Sequence, residues 1–262
     1  MLFAVLATAV ASGCAATSTP AHRSVATQPV TSSSPTPAPT ATVPAPTPTP
    51  TARATARKHR PTLLVQRLDG VGSARQVVAV TASGYGTSYA TLTAFSRTAS
   101  GWRQVFGPWS ARIGYSGFAP PQQKREGDGR TPSGAFGFQF MFGVDPNPGV
   151  RYAYRPALGT SWWDDDPRSA HYNEWVDSRT GDPGRSPEAM RQLPSYRYGA
   201  VIAYNTARTP GAGSAIFLHV AHTGATSGCV SLPQPELLAV LRWLDPQQTP
   251  RIVMGTTSAV VR

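Results

Sequence analysis

The chain is short of cysteine, of acidic residues and of long apolar runs. Two cysteines in 262 residues, Cys14 and Cys229, lie in very different surroundings. A bridge between them would staple a tail to a domain, so a disulfide framework is excluded and each thiol needs its own explanation. Thirteen Asp and Glu stand against 24 Lys and Arg, a formal net charge of +11. That surplus favours anionic surroundings. Nucleic acid is not among them, because the basic residues are scattered arginines without a recognition motif. The one tight run, Arg53, Arg57, Lys58 and Arg60, reads as a solvated tether. The apolar stretch Leu2 to Val10 is too short to span a bilayer. There is no phosphate-cradling glycine loop, and His171 and His222 have no Cys or His partners at zinc spacing, so neither a metal nor another cofactor is expected.

Helical periodicity is scarce too. The apolar pattern from Thr62 onward is mostly of period two, and strands are expected at Gln76–Val80, Tyr89–Phe95, Trp102–Phe106, Ala135–Phe142, Ala200–Tyr204, Ala215–Val220 and Arg251–Met254. One segment is convincingly helical, Pro233 to Leu244, where Leu237, Leu238, Leu241 and Leu244 make one apolar face. Ser231 with Gln234 offers it a capping box. Residues Pro146 to Pro194 read as long surface loops. The run Asp164-Asp165-Asp166 within them reads as a solvated loop, with a cation site or a site for an acceptor amine as the alternatives.

The N-terminal part has a different character. The run Leu2 to Val10 suits the apolar part of a secretion signal, and it ends in Ala11-Ser12-Gly13-Cys14. Small residues before a cysteine resemble the cleavage box of bacterial lipoproteins, which implies a lipidated Cys14 and a membrane anchor. An ordinary signal cleaved near Ala16 is the alternative. Residues 15–61 are Thr, Pro, Ser and Ala with almost nothing apolar to bury. Prolines at nearly every second position stiffen this tract toward polyproline II, a semi-rigid spacer of about 3.1 Å per residue. The expected organisation is therefore a signal over 1–14, a linker over 15–61 and one folded domain over 62–256.

The chemistry concentrates near the C-terminus. A strand leads into His219-Val220, a short loop follows, and the chain re-emerges as Thr226-Ser227-Gly228-Cys229-Val230-Ser231-Leu232. A cysteine nucleophile must lose its proton, and an imidazole one loop away can take it. Gly228 lets the backbone approach a substrate, and the N–H groups of Gly228 and Cys229 are placed to bind an oxyanion. A free thiol in an exported domain is a liability unless used, and this one sits among Gly, Ser and Thr rather than in an apolar run. A buried structural cysteine beside a core histidine is the alternative. Tyr204, on the preceding strand, faces either the cleft or the core.

His219 followed by Thr226-Ser227-Gly228-Cys229-Val230-Ser231-Leu232 resembles the active-site signature of the L,D-transpeptidase (YkuD-type) catalytic domain. The upstream segment Asp128 to Phe136 resembles that family's Thr-Pro-x-Gly-x-Phe hairpin, and the resemblance covers roughly Arg75 to Met254. It implies a mainly β fold, an L,D-transpeptidase-type β-sandwich with one late amphipathic helix and long surface loops. It also implies an exported enzyme at the outer face of the membrane or in the cell wall, with peptidoglycan stem peptides as its partners. Cys229 would be the acylated nucleophile, His219 its base, Val220 the residue whose carbonyl orients the imidazole, and Gly228 part of the oxyanion site. D-alanine would leave a stem tetrapeptide and a neighbouring stem amine would take the acyl group. Water as acceptor would give a carboxypeptidase or amidase-type hydrolase, and a non-catalytic wall-binding module is the third reading. Ser227 stands where the family usually has His or Arg, and Ser231 where it has Arg. Both are expected on the substrate side.

Overall fold

The computed structural model describes residues 62–262. The apolar run, Cys14 and the linker lie outside them, as do the readings made of those segments. In chain order the strands are β1 (Gln76–Ala82), β2 (Tyr89–Thr98), β3 (Gly101–Arg112), β4 (Gly134–Phe136), β5 (Phe138–Gly143), β6 (Tyr154–Pro156), β7 (Ser161–Trp163), β8 (Trp175–Asp177), β9 (Glu188–Ala189), β10 (Gly199–Ile202), β11 (Phe217–Val220), β12 (Val230–Leu232) and β13 (Arg251–Thr256). Helix α1 (Gln234–Trp243) links β12 to β13, and the four-residue α2 (Thr257–Val260) follows β13.

Ten strands form one curled sheet in the order β4-β13-β1-β2-β3-β12-β11-β10-β5-β6. β1 runs Gln-Val-Val-Ala-Val-Thr-Ala with its first five residues buried, which requires cover on both faces. Val78 and Val80 face the main core with Leu92, Leu218, Val230 and α1. Val77 and Ala79 face a smaller cluster with Phe95, Val253, Val65 and Val260. The mainly β class expected from the period-two pattern is what forms, and it is consistent with the sandwich that the resemblance implies.

α1 fills the hollow of the curl. Leu237, Val240, Leu241 and the C-cap Leu244 are all fully buried. Each such side chain contributes about 1.5–3 kcal/mol relative to exposure, which is why this one amphipathic segment is helical in a β-rich chain. The capping box expected for it does not form. Pro233 is the N-cap and makes no side-chain hydrogen bond, because Ser231 already belongs to β12. The domain also runs past residue 256: Val260 of α2 is buried, and Leu68 bridges Val261.

The segment read as surface loops departs most from expectation. Strands β7, β8 and β9 form a second sheet in the order β8-β7-β9, and Trp163, Tyr172 and Met190 are buried beneath it. These strands of two or three residues are too short to show a period. Phe142, Tyr196 and Phe217 meet edge to face behind them, giving the cysteine region a second apolar cluster of its own.

Candidate active site

β11 and β12 are parallel neighbours, with Leu218 opposite Val230 and His219 opposite Ser231. Cys229 immediately precedes β12. Alternation along a strand therefore sends Cys229 and Ser231 to one face, and His219 joins them in lining a cavity of about 290 Å³. His219 and Cys229 are each 7% exposed.

The turn before Cys229 is tightly specified. Gly228 adopts φ +153°, and a Cβ there would stand 3.0 Å from the Arg130 carbonyl oxygen, so the backbone conformation favours glycine and a side chain would crowd the turn. Thr226 Oγ1 donates to the Cys229 carbonyl (2.7 Å) and accepts from Gly228 N–H (3.2 Å). Thr131, fully buried, donates to the same carbonyl (3.3 Å) and accepts from Gly114 N–H (2.9 Å). The upstream hairpin motif thus holds the cysteine loop in place. The Gly228 N–H is not free, as the sequence reading had it; Thr226 takes it.

His219 Nδ1 lies 2.8 Å from the Val220 carbonyl oxygen. A carbonyl only accepts, so Nδ1 carries the proton and Nε2 keeps its lone pair. The Tyr196 ring meets the imidazole edge-on with centroids 5.4 Å apart, and the Tyr196 hydroxyl donates to Glu188. Cys229 Sγ donates to the Ala215 carbonyl (3.2 Å) and accepts from Phe217 N–H (3.3 Å). No hydrogen bond joins Sγ to the imidazole. Burial pushes the thiol well above its ordinary range, and the nearby Glu188 and Asp165 carboxylates push the same way. Burial pushes His219 down to about 4, against the backbone hydrogen bonds of Val220 and Ser195, which hold it up. Burial thus favours a neutral thiol and a neutral imidazole over an ion pair.

The other expected residues separate. Ser231 is buried and Ser227 exposed, and both line the cavity. Tyr204 does not: its hydroxyl donates to the Ala212 carbonyl (2.6 Å) and its ring meets Phe136 edge-on. The Asp run is not a solvated loop. Asp164 is fully buried, with Oδ1 accepting from Asp166 N–H (2.9 Å), and Asp165 faces the cavity. Sequence reasoning missed Lys124, Glu126 and Glu188, which line it too. Lys124 and Glu126 precede the hairpin motif by a few residues, and that proximity was their only signal. No group of three or more His, Cys, Asp or Glu among the described residues is arranged to hold a metal ion.

Residues 91–256 match the family YkuD, L,D-transpeptidase catalytic domain. No curated relative and no solved structure matches the chain. The matched span takes in eleven of the thirteen strands in full, the hairpin motif and the whole cavity wall that carries His219 and Cys229. On that match the chain belongs to the YkuD family of L,D-transpeptidase catalytic domains, cysteine-dependent enzymes that act on peptidoglycan stem peptides in the cell envelope.

Proposed function

We propose that this protein is a peptidoglycan L,D-transpeptidase that works through a thioester on Cys229. The observation that carries the reading is that His219 on β11 and Cys229, just before the parallel neighbour β12, line one cavity, with Val220 fixing the tautomer that leaves Nε2 as a base. Cys229 Sγ attacks the carbonyl between the third residue of a stem tetrapeptide and its terminal D-alanine. Both groups rest neutral, so the thiol proton passes to His219 Nε2 as the C–S bond forms, not beforehand. His219 then gives that proton to the departing D-alanine amine. The Cys229 N–H supplies the oxyanion donor, since Thr226 holds that of Gly228. A neighbouring stem amine resolves the thioester.

The N-terminal segments fit this reading as an anchor and spacer. A lipidated Cys14 would hold the chain at the outer face of the membrane, and the Thr/Pro tract would carry the domain into the wall.

Incubating the full-length chain with a disaccharide-tetrapeptide should release D-alanine and add the acyl mass to the Cys229 peptide, with cross-linked dimer as the product. Cys229→Ser should form no thioester. An adduct elsewhere, or the same turnover in Cys229→Ser, would overturn the assignment, and tripeptide without dimer would make the protein a hydrolase.

A further inference from the structure

The cavity holds more negative charge than acylation can use. Glu126, Asp165 and Glu188 line it beside Cys229. Lys124 is the one Lys or Arg on its lining, and its ammonium is engaged by Asp128 Oδ1 (2.6 Å) and the Arg125 carbonyl (2.5 Å). Carboxylates near a sulfur that must give up its proton as it attacks oppose the first half-reaction. Their placement suits a cation instead.

The hydrogen bonds show that this cluster stores a proton. Ser214 Oγ lies 2.8 Å from Glu126 Oε2 and 2.6 Å from Asp165 Oδ1, and the Tyr172 hydroxyl already donates to Glu126 Oε2. A hydroxyl has one proton to give, so Ser214 donates to one carboxyl and the other must donate to Ser214. Burial pushes Asp165 up to about 7, with the charges of Glu188 and Glu126 adding to it against the Ser214 bond, so Asp165 is the proton carrier. Asp165 Oδ2 and Glu188 Oε2 have no partner among the described residues. A separate observation points to a ligand. Ser231 is 2% exposed and lines the same cavity, and its hydroxyl also lacks a partner among the described residues. These oxygens open onto the cavity, where an occupant that donates hydrogen bonds would find acceptors waiting. A primary ammonium offers three donors and a positive charge.

We propose that Asp165 and Glu188 form the subsite for the primary ammonium of the acyl acceptor, with Ser231 as a third acceptor and Asp165 as the base that frees the amine. This rests on the Cys229 acyl-enzyme reading and assigns its second half-reaction. Entry of R–NH3+ displaces the stored proton to solvent. One N–H proton then passes to the Asp165 carboxylate, leaving R–NH2. Its lone pair forms the C–N bond at the thioester carbonyl and the C–S bond breaks. A second N–H proton goes through His219 to the Cys229 sulfur, restoring the thiol, and the third stays on the new amide. Water carries no ammonium, so the subsite favours aminolysis over hydrolysis.

The test has a binding arm and a kinetic arm. The Cys229→Ser full-length chain is titrated by calorimetry with Nα-acetyl-lysine methylamide and with its Nε-acetylated form. The amine should bind and the acetylated form should not, a contrast that needs no further substitution. Asp165→Asn and Glu188→Gln, each isosteric, should weaken amine binding about ten- to a hundredfold. In the kinetic arm, acyl-enzyme is formed first with the wild-type cysteine, the amine is added, and dimer and hydrolysis products are counted. Asp165→Asn should lower the ratio of aminolysis to hydrolysis by at least tenfold, and Asp165→Glu should restore part of it. Equal binding of both probes, or an unchanged ratio, overturns the subsite. So does Asp165→Asn slowing acylation by an amine-bearing donor at constant ratio, which assigns the carboxylates to the donor's ammonium. Failure of the wild type to form any acyl-enzyme would sink the Cys229 reading alone, because the binding arm does not use the thiol.

Discussion

Cys229 and His219 are each held in the uncharged form by burial, and this decides how the nucleophile can be made. A thiolate preformed by proton transfer to imidazole would put two charges into a site where both are 7% exposed, and burial alone moves both groups away from ionisation. The charge must then appear with the attack, when the oxyanion donor can share it. A simple alkylating reagent gains nothing from that donor. Iodoacetamide should therefore modify Cys229 slowly at pH 7 and faster with each step toward pH 9, while a carbapenem, which presents a carbonyl, should acylate it readily at pH 7. His219→Ala should slow acylation by about 10²–10⁴, the usual contribution of a general base, and leave alkylation at pH 9 nearly unchanged. Stopped-flow fluorescence for acylation and mass spectrometry for alkylation measure the two rates. A similar loss in both would mean that His219 only shapes the pocket. A larger loss from His222→Ala, on the exposed loop at the cavity mouth, would reassign the base.

At the scale of elements, the β11–turn–β12 unit is the device that joins base to nucleophile, and Gly228 is its narrowest point. Alanine there would have to hold φ +153° with its Cβ 3.0 Å from Arg130 O, a conformation that costs on the order of 1–3 kcal/mol. Gly228→Ala should fold with a lowered melting temperature and lose at least tenfold in acylation rate, because Cys229 shifts against its neighbours. Acylation at the wild-type rate would show that the turn tolerates a side chain. This unit was legible in the sequence because strand, loop and Gly-Cys turn are contiguous, and the long strands β1 to β3 and helix α1 were legible because each spans several periods. Other features were not. Strands β7 to β9 are two or three residues long and carry no period, so the segment from Pro146 to Pro194 read as loops. Asp165 and Glu188 stand 64 and 41 residues before Cys229 and meet it only because the small sheet folds over the cavity. Tyr204 failed in the opposite sense. It sits near the right strand, but the Ala212 carbonyl and Phe136 hold it away from the site.

For the whole molecule, a chain with a formal net charge of +11 carries a small enclosed region of opposite sign, and that region sets part of its pH response. Asp165 titrates near 7 in the folded protein and near 3.9 when unfolded. Between those values the native state holds the extra proton, so the Asp165 contribution to stability is greatest in acid and is lost as pH rises to 7. Glu188, also pushed up by burial, acts in the same direction. His219 acts in the other. It titrates near 4 when folded and near 6.5 when unfolded, so its imidazole destabilises the fold as pH falls through 6.5 and the penalty is complete below 4. Over roughly pH 4 to 6.5 the base and the carboxylates therefore oppose one another. Asp165→Asn removes the Asp165 share of that opposition. The stability of the variant relative to the wild type should rise from pH 4 to about 7 by on the order of 2–4 kcal/mol and then level off. Urea denaturation of both proteins at half-unit steps from pH 4 to 8 measures the difference directly, and groups remote from Asp165 cancel in it. Parallel curves would show that Asp165 is ionised throughout, and the proton inferred on the Asp165–Ser214–Glu126 cluster would have to be given up with it.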